Sequence, residues 1–155
     1  MKIRKATKKD MKDLNIIRKE KLRKLHNSRL KLQKEGKALY LIVYIKNKPV
    51  GHVFVHLKGN EKYHSCPTLQ DLFVKENLRR KKIGARILKK VERKLKSKGH
   101  KKVGLDVETK EKWLLFFYEK IGYKIIGKPH KQTWTQKDSG KKMNTVVFHL
   151  EKKLK

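Results

Sequence analysis

The sequence predicts an α/β fold, α+β mixed, in a single domain over residues 1–155. Two observations carry this expectation. Apolar runs of strand length recur, as in Ala38-Leu39-Tyr40-Leu41-Ile42-Val43-Tyr44. Other segments repeat their apolar residues at helical spacing, as do Ile87, Leu88, Val91 and Leu95 with lysines and arginines between them. At 155 residues the chain is long enough to bury one real core.

The elements follow in order. Lys2 to Ala6 reads as a first strand. Thr7-Lys8-Lys9-Asp10 marks a helix start, with Thr7 as N-cap and Asp10 three residues on. The helix carries Met11, Leu14 and Ile17, with Leu22 and Leu25 beyond, and His26-Asn27-Ser28 is expected to interrupt it. A second helical piece runs to Lys34 and stops at Gly36. Leu39 to Lys46 and Pro49 to Leu57 form two strands joined tightly at Asn47-Lys48. A strand from Thr68 to Val74 leads through a basic turn into the helix that carries Ile87 to Leu95. Val103 to Glu108 is the next strand, and Glu111 to Lys120 the next helix. The cluster Trp113-Leu114-Leu115-Phe116-Phe117-Tyr118 wraps around that helix. Gly122 fits its C-cap and Tyr123 opens another strand. Gln132 to Thr135 and Met143 to Leu150 flank Asp138-Ser139-Gly140, a hairpin with Trp134 on one arm.

Charge bounds the partners. The formal net charge is +31, a field that attracts phosphates, coenzyme A, nucleic acid and anionic surfaces. The lysines are dispersed, which equally suits a general lysine bias. No apolar run reaches the length of a membrane span, and no secretory signal is visible at Met1-Lys2-Ile3-Arg4-Lys5, so a cytoplasmic location is expected. Cys66 is the one cysteine, which rules out an internal disulfide. His52 and His56 would stand roughly 13 Å apart on a strand. No histidine shows metal-ligand spacing, and no metal is expected.

The segment Val74-Lys75-Glu76-Asn77-Leu78-Arg79-Arg80-Lys81-Lys82-Ile83-Gly84-Ala85 holds the most chemistry. The first N–H groups of a helix lack internal partners and carry the positive end of its dipole, so a strand–turn–helix junction is a ready anion site. Gly84 lets a phosphate approach the backbone. A surface turn of a very basic protein fits these residues equally well.

This segment resembles the acyl-CoA signature of the GNAT superfamily of N-acetyltransferases, Arg/Gln-x-x-Gly-x-Gly/Ala opening a helix after a strand. Arg79 takes the first position and Gly84 the final glycine, while Lys82 stands at the first glycine. A second stretch, Glu111 to Tyr123, resembles the family's Asn-x-x-Ala-x-x-Φ-Tyr-x-x-x-Gly-Phe/Tyr helix. Tyr118, Gly122 and Tyr123 match, whereas Glu111 and Leu114 replace Asn and Ala. The resemblance spans nearly the whole chain, most weakly in residues 26–36 and 127–142.

The resemblance implies a GNAT-like, mostly antiparallel twisted sheet, splayed between its fourth and fifth strands by a bulge, with helices on both faces. It implies acetyl-CoA as co-substrate. Leu72, Phe73 and Val74 would pair with the pantetheine arm, and Arg79, Arg80, Lys81, Lys82, Ile83, Gly84 and Ala85 would hold the pyrophosphate. Glu111 and Phe117 would lie beside it. Tyr118 would protonate the leaving thiolate. Asp106, in the context Leu105-Asp106-Val107, is the first choice for the base, Glu108 the second and Asp71 a third. Each of these acids also reads as a salt-bridged carboxylate.

The expected activity is N-acetyl transfer to a primary amine by direct attack in a ternary complex, with a protein N-terminus or lysine as acceptor and a small amine as the next option. The basic surface leaves ribosome or RNA association open, and a homodimer is also left open. The alternative is a GNAT-like module with weak or lost catalysis that binds RNA or another polyanion.

Overall fold

The strand around Leu39 sends Ala38, Tyr40 and Ile42 to one side and Leu39, Leu41 and Val43 to the other, and all six are buried. Such a strand must be covered on both faces. In the computed structural model, which describes residues 1–18, 22–59, 62–135 and 139–155, helices supply the cover. The chain runs β1 (Lys2–Lys5), α1 (Met11–Ile17), α2 (Arg23–Lys34), β2 (Ala38–Ile45), β3 (Lys48–His56), β4 (Thr68–Val74), α3 (Ile83–Ser97), β5 (Lys102–Glu108), α4 (Lys112–Lys120), β6 (Lys124–Thr135) and β7 (Lys142–Lys153). One seven-stranded sheet has the order β1-β2-β3-β4-β5-β7-β6. Neighbours are antiparallel except β4 and β5, which are parallel.

Leu14 and Ile17 of α1 and Leu30 of α2 pack with Ala38, Tyr40, Ile42 and Phe54 on one face. On the other, Ile83, Ile87, Leu88, Val91 and Leu95 of α3 meet Leu39, Leu41, Val53, Val103, Leu105 and Val107, with Tyr118 and Tyr123. Each large aliphatic side chain buried there contributes about 1.5–3 kcal/mol.

The sheet is splayed. β4 and β5 share only the pairs Thr68 with Gly104 and Leu69 with Leu105. Opposite β3, Phe54 pairs with Asp71 and Val55 with Leu69, so Gln70 has no partner and forms a bulge. The bulge bends β4, and the two strands part beyond Leu69 and Leu105. The mixed α/β architecture and the splay between the fourth and fifth strands agree with expectation.

Several boundaries differ from the sequence reading. His26-Asn27-Ser28 does not interrupt a helix; α2 runs through it, and the break precedes Arg23. His26 acts as an inward residue there, its Nδ1 2.7 Å from the Tyr40 hydroxyl. The β2–β3 turn is Lys46-Asn47, both at positive φ (51° and 63°), one residue before the expected pair. A two-residue hairpin of this type needs both central residues left-handed; Lys48 then opens the return strand opposite Ile45, and Pro49, whose φ is fixed at about −65°, stays out of the turn. β6 and β7 are much longer than expected because lysines at Lys124, Lys128 and Lys131 mask the apolar alternation of an exposed edge strand. Of the expected hairpin turn, Asp138 lies outside the described residues, while Gly140 has φ +69°.

Candidate active site

The parted strands make a cleft whose floor is the free edge of β4 from Leu72 to Val74 and whose end is the N-terminus of α3. The N–H groups of Ile83, Gly84 and Ala85 begin that helix and have no acceptor within it. Arg80 and Lys82 before it are left-handed, at φ 63° and 61°. A lysine holds that conformation at a cost of roughly 1 kcal/mol, which is why the family signature has glycine where Lys82 stands. A Cβ on Gly84 would meet only Leu72 Cδ2 at 3.9 Å and Phe117 Cζ at 4.0 Å. Among the described residues no atom therefore requires glycine there, and the space before it is what a ligand close to the backbone needs. The residues present fit a pyrophosphate.

The other expected cofactor residues divide. Leu72, Gly84 and Phe117 come together at the cleft. Arg79 turns back: its Nε donates to the Val74 carbonyl at 2.9 Å and its guanidinium lies over Phe73, 4.9 Å from the ring centre. Arg80 lies over Trp113 at 5.8 Å. Lys81 is exposed, the Ile83 side chain is core, and Glu111 is the exposed N-cap of α4. Trp113 and Phe116 point outward, 61% and 64% exposed.

Tyr118 stands between Phe117 and Tyr123 with its ring edge-on to both, at 5.1 and 5.5 Å. Only 7% of it is exposed. Burial, and then the negative charge of Asp71, pushes its hydroxyl up to about 12. Asp71 is not available as a base: Arg18 at 3.0 Å and Arg29 at 2.9 Å both pair with its Oδ2.

Asp106 and Glu108 do share one face of β5, opposite the face of Leu105 and Val107. Glu108 pairs loosely with Lys110, 3.5 Å away. Asp106 is the hub of a buried network that the sequence did not reveal. Its Oδ1 accepts from His64 Nε2 at 2.8 Å and His149 Nδ1 at 2.7 Å, and its Oδ2 accepts from Gln132 at 2.9 Å. The other nitrogen of His64 donates to Glu151 at 2.8 Å, and Lys102 backs Glu151 at 3.1 Å. Burial opposes a charged His64, but hydrogen bonds with Asp106, Cys66 and Glu151 raise it to about 10. Burial would likewise raise Asp106, yet the bonds from His64 and His149 hold it below the ordinary carboxylate range.

His64 lies over the sheet because Gly104 lacks a side chain; a Cβ there would come within 2.5 Å of His64 Nδ1. Beyond His149, His130 Nδ1 is 3.0 Å from His149 Nε2, and Tyr63 stacks on both rings at 4.6 and 4.3 Å. Ligand-type atoms of His64, Asp106 and His149 lie within 4.8 Å of one another, as do those of His64, Cys66 and Glu151. Two ligands of a tetrahedral zinc ion stand about 3.3 Å apart, so the 2.7 and 2.8 Å contacts through one Asp106 oxygen are those of a hydrogen-bonded network.

His64, Asp106 and His149 are 42 and 43 residues apart, so no local spacing could signal them. The one usable hint was Gly104 inside an apolar strand, where glycine marks a close approach. A separate cavity of about 930 Å³ between α3, Gly122 and the end of β7 holds none of the expected site residues.

Comparison with known proteins agrees with this geometry. No curated protein matches the sequence significantly. The fold is shared with the crystal structure of PaiA N-acetyltransferase from Thermoplasma acidophilum in complex with coenzyme A (22% identity, 98% of each chain, TM-score 0.72). It is also shared with the ribosomal-protein-S18-alanine N-acetyltransferase of Escherichia coli (14%, 99% and 93%, 0.72). Naa20 of Chaetomium thermophilum, in complex with a bisubstrate analogue, is similar as well (14%, 99% and 87%, 0.68). Residues 8–123 match the acetyltransferase (GNAT) family, and the chain belongs to that family.

Proposed function

We propose that residues 1–155 work as one domain, an acetyl-CoA-dependent N-acetyltransferase acting on a primary amine of a protein, at an N-terminus or a lysine. The observation that carries this reading is the open β4 edge bounded by Gly84 at one end and Tyr118 beside it. The coenzyme A complex of the PaiA relative and an acetyl-CoA-bound acetyltransferase from Elizabethkingia anophelis support the choice of cofactor. The ribosomal-protein-alanine enzyme and Naa20 support a protein amine. Among the described residues no helix is long and apolar enough to cross a membrane.

When bound, acetyl-CoA supplies the thioester carbonyl that the amine attacks. The N–H groups of Ile83, Gly84 and Ala85, with the charges of Arg80, Lys81 and Lys82, would hold the pyrophosphate, and Glu111 and Phe117 would contact the cofactor elsewhere. The β4 edge at Leu72, Phe73 and Val74 offers hydrogen bonds to the pantetheine amides and polarises the carbonyl. Tyr118 keeps its proton at neutral pH and donates it as negative charge develops on the leaving sulfur. The machinery that receives the amine proton is built around Asp106, with Glu108 the second candidate. No covalent enzyme intermediate is needed.

The test is calorimetric titration with acetyl-CoA, with ATP and a short RNA as controls, followed by transfer to peptide amines. Saturable binding clearly tighter than ATP supports the reading. Equal and salt-sensitive binding of all three would replace it with a polyanion-binding module.

A further inference from the structure

Asp106 is poorly suited to take the proton itself. An ionised carboxylate has about four acceptor positions, and His64, His149 and Gln132 already fill three. An ordinary carboxylate at about 3.9 is some four pH units short of an α-amino group near 8, and Asp106 is held lower still, whereas an ordinary imidazole falls short by about 1.5. The structure places two imidazoles next in line.

With Asp106 ionised, His149 must present Nδ1–H to it. His149 Nε2 is then a lone pair and accepts from His130 Nδ1–H across the 3.0 Å contact. That leaves the lone pair of His130 Nε2 as the outer end of the chain. His130 is exposed, whereas His149 is buried. His130 lies opposite Val147, which lies opposite Glu108, so it sits at the end of the sheet where β4 and β5 have parted. It is two strands, about 10 Å, from β5, a gap that a chain of about three waters would span.

We infer that His130 Nε2, with His149 and Asp106 as positioning residues, is the proton acceptor for the amine. This deepens the acetyltransferase reading and rests on it. The N–H bond of the ammonium breaks through the intervening water and an Nε2–H bond forms on His130. The His130 Nδ1 proton moves to His149 Nε2, so one positive charge is shared by the pair beside ionised Asp106. The freed amine lone pair attacks, and the proton later leaves to solvent from His130. Around the pair, Asp106 bonds to His149, and Tyr63 stacks on both rings with Lys62 over it; His64 is edge-on to His149, and Glu151 and Cys66 act on His64; Gln132 bonds to Asp106; Glu108 lies further along the same face of β5. The His64 imidazolium and Glu151 hold Asp106 in place without exchanging protons near neutral pH.

The experiment has two readouts on the full chain. Long-range proton–nitrogen NMR of the imidazoles reports which nitrogens carry protons, with or without turnover. His149 is expected protonated at Nδ1 and His64 at both nitrogens. A His149 protonated only at Nε2 would overturn the relay alone. In transfer from acetyl-CoA to a peptide amine, His130→Gln should lower kcat about 100-fold, leave the acetyl-CoA KM unchanged and remove the acid limb of kcat/KM. His149→Gln should remove the same limb, and added imidazole should restore part of the rate to His130→Gln. Full activity in His130→Gln overturns the relay and leaves the acetyltransferase standing. Absence of acetyl-CoA binding and transfer in the unaltered protein overturns both.

Discussion

Replacing His64 by glutamine should remove a pH-dependent contribution to stability that can be worked from the structure. The ring is buried between Asp106 and Glu151, with a nitrogen 2.8 Å from each. Its value rises from 6.5 in the unfolded chain to about 10 in the fold. A group raised on folding stabilises fully below its unfolded value and loses that effect as pH climbs through the folded one. At about 1.4 kcal/mol per pH unit, the contribution is on the order of 4 kcal/mol at pH 7 and close to none at pH 10.5. That agrees with the about 3–5 kcal/mol typical of breaking a buried ion pair. Lysines titrate in the same window, so the observable is the difference between the unaltered protein and His64→Gln in urea unfolding, measured at steps from pH 7 to 10.5. The difference should shrink steadily. Gly104→Ala, whose new Cβ displaces the same ring, should reproduce the trend. Parallel stability curves across this range would show that His64 is neutral in the fold and refute the reasoning.

Three further outcomes are expected. Gly84→Ala should leave the melting temperature unchanged or higher, since alanine is favoured over glycine in a helix by about 1 kcal/mol and its Cβ clears every protein atom, while calorimetry should show acetyl-CoA affinity reduced at least several-fold. Tyr118→Phe should fold normally and bind acetyl-CoA normally, but lose on the order of 100-fold in kcat in a transfer assay. His52 and His26 are both held near about 4 by burial, below their unfolded 6.5, so they support the fold above pH 6.5 and undermine it as pH falls toward 4. His52 packs against Phe73 and Tyr40, and neither ring nitrogen has a hydrogen-bond partner. His52→Phe should therefore cost little at pH 7 and raise stability relative to the unaltered protein at pH 4.5, read from urea midpoints.

The fold was legible where local pattern decides it. β4 was bounded at Thr68 and Val74 from sequence alone, and α3 followed from Ile87, Leu88, Val91 and Leu95, because periodic apolar residues facing a covered sheet leave little choice. α2 was misjudged because His26 behaves as a core residue once Tyr40 meets it, a tertiary fact that helix propensity does not contain. β6 was shortened because its edge position permits lysines that erase alternation. In the site, Gly84 and Tyr118 could be read because each belongs to a short motif. The surroundings of Asp106 could not, since His64, Gln132 and His149 reach it from three segments far apart in sequence, the loop before β4, β6 and β7. Asp106 itself was found, and a salt-bridged state was one reading of it, but its three donors could not be named from sequence.

The two-pair ladder between β4 and β5 also governs how the molecule resists force. Elsewhere adjacent strands are held by long ladders, such as the seven pairs from Lys102 with Lys153 to Glu108 with Val147. A load that draws β4 away from β5 meets only Thr68–Gly104 and Leu69–Leu105 in the backbone, and then the packed side chains of α3. Pulled across that seam, the protein should yield at low force even where heat and denaturant find it robust, and it should tear first along the line where its ligand is expected to lie.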